Sequence, residues 1–297
     1  MEFNETFDVP ENAHLIVKNI RGAIHVGQGE SGKIRIQATL DETTGNPERT
    51  RVRISQKEDG TVEAITDYER PSIWLGQNPS KVVYQIEAPQ HVLARVRNVS
   101  GAILIEQVHG NHRIRNVSGN IHLTNIRGEL DVKNVSGRIE AHGLHGKQHL
   151  ESVSGRLHVE RSEITVLGAK TVSGSQYIET ALGDGPYRMQ TISGGLRLVL
   201  DQAQPCTVNA TSISGQFKSD LGNTRGSVSK RNWQLDFDGG GPTIRMKTIS
   251  GAMRVLLDGG SNGSRISPTT PSRQDRIQVL NQVSAGELTV EDALRKL

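Results

Sequence analysis

Glycine returns every nine residues through the middle of this chain, at Gly101, Gly110, Gly119, Gly128, Gly137, Gly146 and Gly155. A period this short and regular leaves few folds open. The residue two before each glycine is aliphatic: Val99, Val108, Val117, Ile126, Val135, Leu144 and Val153. So is the residue four after it, from Ile105 and Ile114 to Val159. Two after the glycine stand Ile103, Ile121, Leu130, Ile139 and Leu157, with His112 and Gln148 as exceptions. Positions −2, 0, +2 and +4 make a period-two pattern, so each unit reads as one strand with an inward apolar face and a corner. On this reading Val117 is a core residue and Arg115 points outward.

Two kinds of unit alternate. N-V-S-G begins at Asn98, Asn116 and Asn134 and S-V-S-G at Ser152, with Q-V-H-G, N-I-R-G and G-L-H-G between them. The true repeat is therefore a coil of eighteen residues with two distinguishable halves. Later copies are spaced slightly wider, at Thr171, Thr191, Ser212 and Thr248. One coil cannot bury its aliphatic row, but a stack buries a continuous column and pairs every strand. The fold class expected is an all-β, right-handed parallel β-solenoid with about 18–21 residues per coil. Composition agrees: aromatics are 3% of the chain while glycine reaches 32 residues, which suits stacked small aliphatics and corners.

These residues resemble a bacterial family of β-strand-repeat domains of unknown function labelled "putative adhesin". The resemblance rests on F-D-V-P-E-N-A-H-L-I-V-K-N-I-R-G near the start, Y-Q-I-E-A-P followed by V-R-N-V-S-G-A-I over residues 84–103, and the repeated V-S-G. It covers most of residues 1–260 and implies the solenoid without implying an activity.

Outside the regular coils the chain changes character. Residues 1–97 read as less regular strands, such as Lys33–Leu40 and Val82–Ala88, forming first coils and a cap that covers an open sheet edge. Residues 98–258 are the regular solenoid, and 259–272 are linker by their Gly/Ser/Pro content. Residues 273–297 read as a short helical hairpin of a kind that accompanies some members of the family the chain resembles. Ile277, Leu280 and Val283 share one helical face, and Leu288 and Leu294 lie beyond Gly286. Too small to be stable alone, this hairpin is expected to engage a protein partner through those five residues.

Charge and cysteine content narrow the function. The net charge of +3 arises from 35 basic and 32 acidic residues spread along the chain, so no nucleic-acid partner is expected. A single Cys206 excludes an internal disulfide framework. No apolar run is long enough to span a bilayer and no secretory leader is visible. A cytoplasmic location is the expectation, with envelope association left open.

Several motifs have a plain structural reading. Gly27–Gly32 spells G-x-G-x-x-G, but an alternating strand follows where a dinucleotide site needs a helix, so a hairpin turn is expected. Gly259–Gly263 spells G-x-S-x-G inside the linker, with no histidine after His158. The N-V-S sequons are explained by the coil spacing. Threonines at Thr171, Thr191 and Thr248 are too broken a column for an ice-binding array. Carbohydrate-cleaving solenoids need paired carboxylates over a cleft, and here acids alternate with bases.

The expected function is a non-catalytic scaffold or binding module of adhesin-like type, with no cofactor and with self-association open. A role at the cell envelope or in its stress signalling is an extension of the family resemblance. The alternatives are a bactofilin-like, end-to-end polymer and a secreted adhesin. One ionisable cluster emerges from the eighteen-residue register: His122, Glu140, His142, His158 and Glu160 stack on one face. A polar face is the expected reading, with a divalent-metal or pH-sensitive surface as the sharper one.

Overall fold

A computed structural model describes residues 1–69, 78–222 and 224–258. The chain is all-β over these residues, apart from one 3₁₀ turn at Pro47–Arg49. The linker, Trp74 and the expected helical hairpin lie outside the described residues.

Each regular coil contributes one long and one short strand, and like strands stack in parallel. The long strands Val92–Ser100, His109–Ser118, Arg127–Ser136 and His145–Ser154 pair in register at eighteen-residue offsets, so that Asn98, Asn116, Asn134 and Ser152 form one column. The short strands Ile103–Glu106, Ile121–Thr124 and Ile139–His142 do the same beside them. Ile103, Ile105, Ile114, Ile121, Val132, Ile139 and Leu150 are essentially inaccessible, making the continuous aliphatic interior that the repeat calls for.

The order of coils departs from sequence order at both ends. The strand Ala13–Arg21 sits between Val62–Tyr68 and Val92–Ser100, so the second coil of the chain lies outside the first. At the other end Thr243–Ser250 slots between Tyr187–Ser193 and Cys206–Ser212. The chain lays down the Cys206 coil one place too far and then returns to fill the gap. Asp238, Gly239 and Gly240 all take positive φ in the return turn.

Both stacks finish on antiparallel strands at the N-terminal end, and the long-strand stack does so at the other end as well, where the short-strand stack ends on the parallel strand Phe217–Ser219. Thr50–Gln56 covers Val62–Tyr68, Glu2–Asp8 covers Lys33–Leu40, and the hairpin of Thr224–Val228 and Asn232–Phe237 covers Cys206–Ser212. The edge strand Thr50–Gln56 carries Arg51 and Arg53, paired with Glu69 and Asp67, which discourages further strand addition. The Gly27–Gly32 segment does lead into a strand, but Lys33–Leu40 pairs with Val82–Ala88, which itself lies beside Ile24–Gln28. The glycines serve a crossover over that intervening strand rather than a hairpin.

The inward register needs a correction at every V-S-G. Val99, Val117, Val135 and Val153 are 46–49% exposed, while Asn98, Asn116 and Asn134 beside them are buried. The cause is the corner. In the long strand His112, Ile114 and Asn116 face in, and in the short strand Ile121 and Leu123 face in. Five positions separate Asn116 from Ile121, so the alternation changes parity at the bend and Val117 is left outside. At the other half of the coil, Gly110 falls within the strand, and the alternation runs unbroken from buried Val108 to His112 and Ile114.

Candidate functional site

The corner that expels the valines is held by polar side chains. The Asn98 amide donates to the Gly22 carbonyl at 2.9 Å, and Asn134 donates to Gly119 at 3.1 Å. Asn116 bonds the carbonyls of both Gly101 and Gly119. Further along, Thr171 takes the same place, bonding Gly174 and Thr191. From Gly101 onward each V-S-G or I-S-G glycine lies against the carbonyl of the glycine in the neighbouring coil, and Gly101, Gly119, Gly137 and Gly194 have φ between 119° and 140°. An asparagine turned inward to satisfy these carbonyls obliges its neighbour to turn outward.

Repetition turns that local rule into a surface. Val99, Val117, Val135, Val153, Val172, Ile192, Ile249 and Ile213 stand one per coil, each 39–58% exposed. At about 4.8 Å per coil the ladder runs roughly 34 Å. Exposed aliphatics scattered singly are ordinary, but eight in line form a continuous apolar strip of the kind that marks a contact surface. A groove of about 520 Å³ follows it from Val99 to Val172, with the columns of Asn98 and Arg97 on its other side.

Two columns of charge flank this groove on the outer face of the long strands. One runs Lys18, Arg97, Arg115, Lys133, Glu151, Lys170, Gln190, Lys247. The next carries Arg95, Arg113, Asp131, Arg188 and Arg245. Ten cations thus share one face with two carboxylates, although acids and bases are near balance along the chain. Stacking selects one residue from each coil, so an even distribution in sequence becomes a segregated one in space. Asp131 pairs with Arg113 and Arg115, and Glu151 with Lys133 at 2.8 Å. Arg115 is therefore a half-buried ion-pair member rather than a free outward side chain. Beside it, Asp131 is held below the ordinary carboxylate range: burial would raise it, but the Arg115 guanidinium outweighs that.

The histidine and glutamate cluster lies on the short-strand face. His122, Glu140 and His158 stack as neighbours, with Thr124, His142 and Glu160 in the adjoining column. His122 meets Glu140 at 3.1 Å, while His158 meets Glu160 at 2.6 Å and stacks on Tyr177. These contacts are pairwise. Among the described residues no three His, Cys, Asp or Glu side chains gather into a set able to hold a metal ion. The five expected partner-binding residues, Ile277, Leu280, Val283, Leu288 and Leu294, lie outside the described residues.

Sequence reasoning missed the aliphatic ladder, although its signal was present. The N, S or T before each V-S-G or I-S-G is polar in every coil, and at Asn98, Asn116, Asn134, Thr171 and Thr191 that inward side chain bonds a corner carbonyl.

No curated protein matches the chain. Among solved structures it is similar to a "putative adhesin" from Bacteroides fragilis, at 13% identity over 86% of this chain and 97% of that one, with a TM-score of 0.48. A "putative cell adhesion protein" from Clostridium sporogenes is 10% identical over 86% and 100%, with a TM-score of 0.27. A "putative lipid binding protein" from Parabacteroides distasonis is 11% identical over 86% and 96%, with a TM-score of 0.23. Likenesses at this level assign neither ligand nor activity. The family pattern described as Toastrack DUF4097 matches residues 14–255, most of the coiled region, and the chain belongs to that family.

Proposed function

We propose that this protein is a non-catalytic binding module, wound in the right-handed sense expected of its repeat, whose contact surface is the aliphatic ladder with its basic flank. The observation that carries this reading is the alignment of eight exposed Val and Ile side chains on successive coils. Leaving that strip in water costs each coil part of the transfer free energy its side chain would gain on burial, roughly 1 kcal/mol for a half-exposed valine. Nothing in the corner geometry requires valine there, since an outward position accepts polar residues. Asn98, Asn116 and Asn134 beneath it bond corner carbonyls, and on the short-strand face His122 and His158 are each tied to a glutamate, which favours binding over catalysis.

The antiparallel strands that close the long-strand stack at both ends support a discrete module over a polymer grown by end-to-end stacking. A direct test replaces Val117, Val135 and Val153 together by serine and follows binding of the apolar fluorophore bis-ANS to the native protein. Loss of most of the fluorophore signal at an unchanged melting temperature is expected. Equal signal from both proteins would move the binding surface elsewhere.

A further inference from the structure

We infer that the occupant of this surface is an anionic lipid bilayer, with the cations on headgroups and the ladder immersed at the boundary between headgroups and acyl chains. The inference rests on the proposed reading of the ladder as a binding surface and names what it binds.

Charge comes first. Of the ten cations on the long-strand face, Arg113, Arg115 and Lys133 are occupied by Asp131 and Glu151. Arg97, Lys170 and Lys247, in the column nearest the ladder, make no ion pair among the described residues. With a whole-chain net charge of only +3, the remainder of the chain is net acidic, so one face alone suits a polyanionic partner. Long basic side chains next to an apolar strip can lay their stems along it and keep their charges at its border. An interfacial element requires this arrangement: apolar groups on one line and Lys/Arg beside it.

The repeat distinguishes a bilayer from other polyanions and from proteins. A nucleic acid would use the cations and would have no use for a strip of valines about 34 Å long. A specific protein partner would be fixed in register by large distinctive anchors, commonly aromatic or arginine side chains in pockets. This ladder contains only Val and Ile, and one rung is equivalent to the next. A surface that does not encode register matches a fluid partner, to which every position along the strip is the same.

Co-sedimentation with vesicles tests this directly on the full chain. Vesicles of phosphatidylserine and phosphatidylcholine are compared with phosphatidylcholine alone, at low and high salt. Binding is expected only to the anionic vesicles and is expected to weaken with salt. Replacing Arg97, Lys170 and Lys247 by glutamine should weaken it roughly a hundredfold. Serine at Val117, Val135 and Val153 should weaken it at least about tenfold. All six positions are on the surface, so unchanged melting temperatures confirm that both variants are folded. Binding that falls with the cations but survives loss of the valines marks a simple polyanion site and overturns the inference. Failure to bind anionic vesicles, while bis-ANS still reports the ladder, overturns the lipid assignment and leaves the binding module standing. Failure of both removes the ladder as a site.

Discussion

Lowering the pH from 7.5 to 4 is expected to weaken the fold measurably through one side chain, His112. It occupies an inward position of its coil, in register with Leu130 of the next, and is only 3% exposed. Burial disfavours the imidazolium, the neighbouring His109 adds to the effect, and the Val108 carbonyl offsets part of it; the result is a pKa pushed down to about 4. An unfolded chain takes up this proton near pH 6.5. Between those two values the unfolded state binds a proton that the folded state refuses, so stability is intact above about pH 6.5 and is lost as the pH falls towards 4. The gap corresponds to about 3 kcal/mol at pH 4, a substantial fraction of the stability of an ordinary domain. His112→Leu copies the residue one coil away and removes the titration. Urea midpoints measured every half pH unit for both proteins give a difference curve. Carboxylates held low in the fold, such as Asp131 and Glu151, titrate in both and cancel. The advantage of the leucine protein should grow by about 3 kcal/mol from pH 7.5 to 4. A difference that stays flat with pH would refute the reasoning, whatever its sign at neutrality.

Four further substitutions probe the corner and the strand beside it. Val135→Asp should leave the melting temperature within a few degrees of the parent, whereas Val132→Asp, three residues earlier and fully buried, should prevent folding, as read by circular dichroism. Gly119→Ala places a methyl group on the Gly101 carbonyl oxygen at a φ of 126°, and a loss of more than about 2 kcal/mol in urea unfolding is expected. Asn116→Ala strips the Gly101 carbonyl of its side-chain donor, while Gly119 keeps Asn134, and should lose about 1–2 kcal/mol in the same assay, leaving the short-strand histidine pairs intact by NMR.

What was legible in the sequence follows the physics that writes it there. Parallel stacking demands like residues at like positions, so the eighteen-residue register of Asn98, Asn116 and Asn134 is visible as a spacing. Strands with one buried face alternate, and Lys33–Leu40 and Val82–Ala88 are recognisable from that alone. The direction in which a residue points at a corner is a different matter. Alternation carries no information about parity across a bend, so one rule placed Val108 correctly and Val117 on the wrong side. The charged face escaped notice for a related reason: Arg97, Arg115 and Lys133 are scattered among acids along the chain and become neighbours only when every eighteenth residue is selected. Coil order at the end was readable in principle. Arg188–Gly194 and Arg245–Gly251 spell R-M-Q-T-I-S-G and R-M-K-T-I-S-G, and chain segments so alike belong side by side in a stack.

That displaced coil bears on how the chain is assembled as it leaves the ribosome. The coils between Val92 and Leu200 can be added one upon another as they emerge, each finding its platform already built. The Cys206 coil cannot, because its native seat is Thr243–Ser250, made some forty residues later. It must wait beside the growing end or dock in the wrong place and be lifted off when Arg245–Gly251 arrives. Completion therefore hinges on the insertion of a wedge between two earlier pieces rather than on addition at a tip. A nascent chain halted near Gly239 would carry every strand of the terminal hairpin and still lack the piece that joins it to the rest.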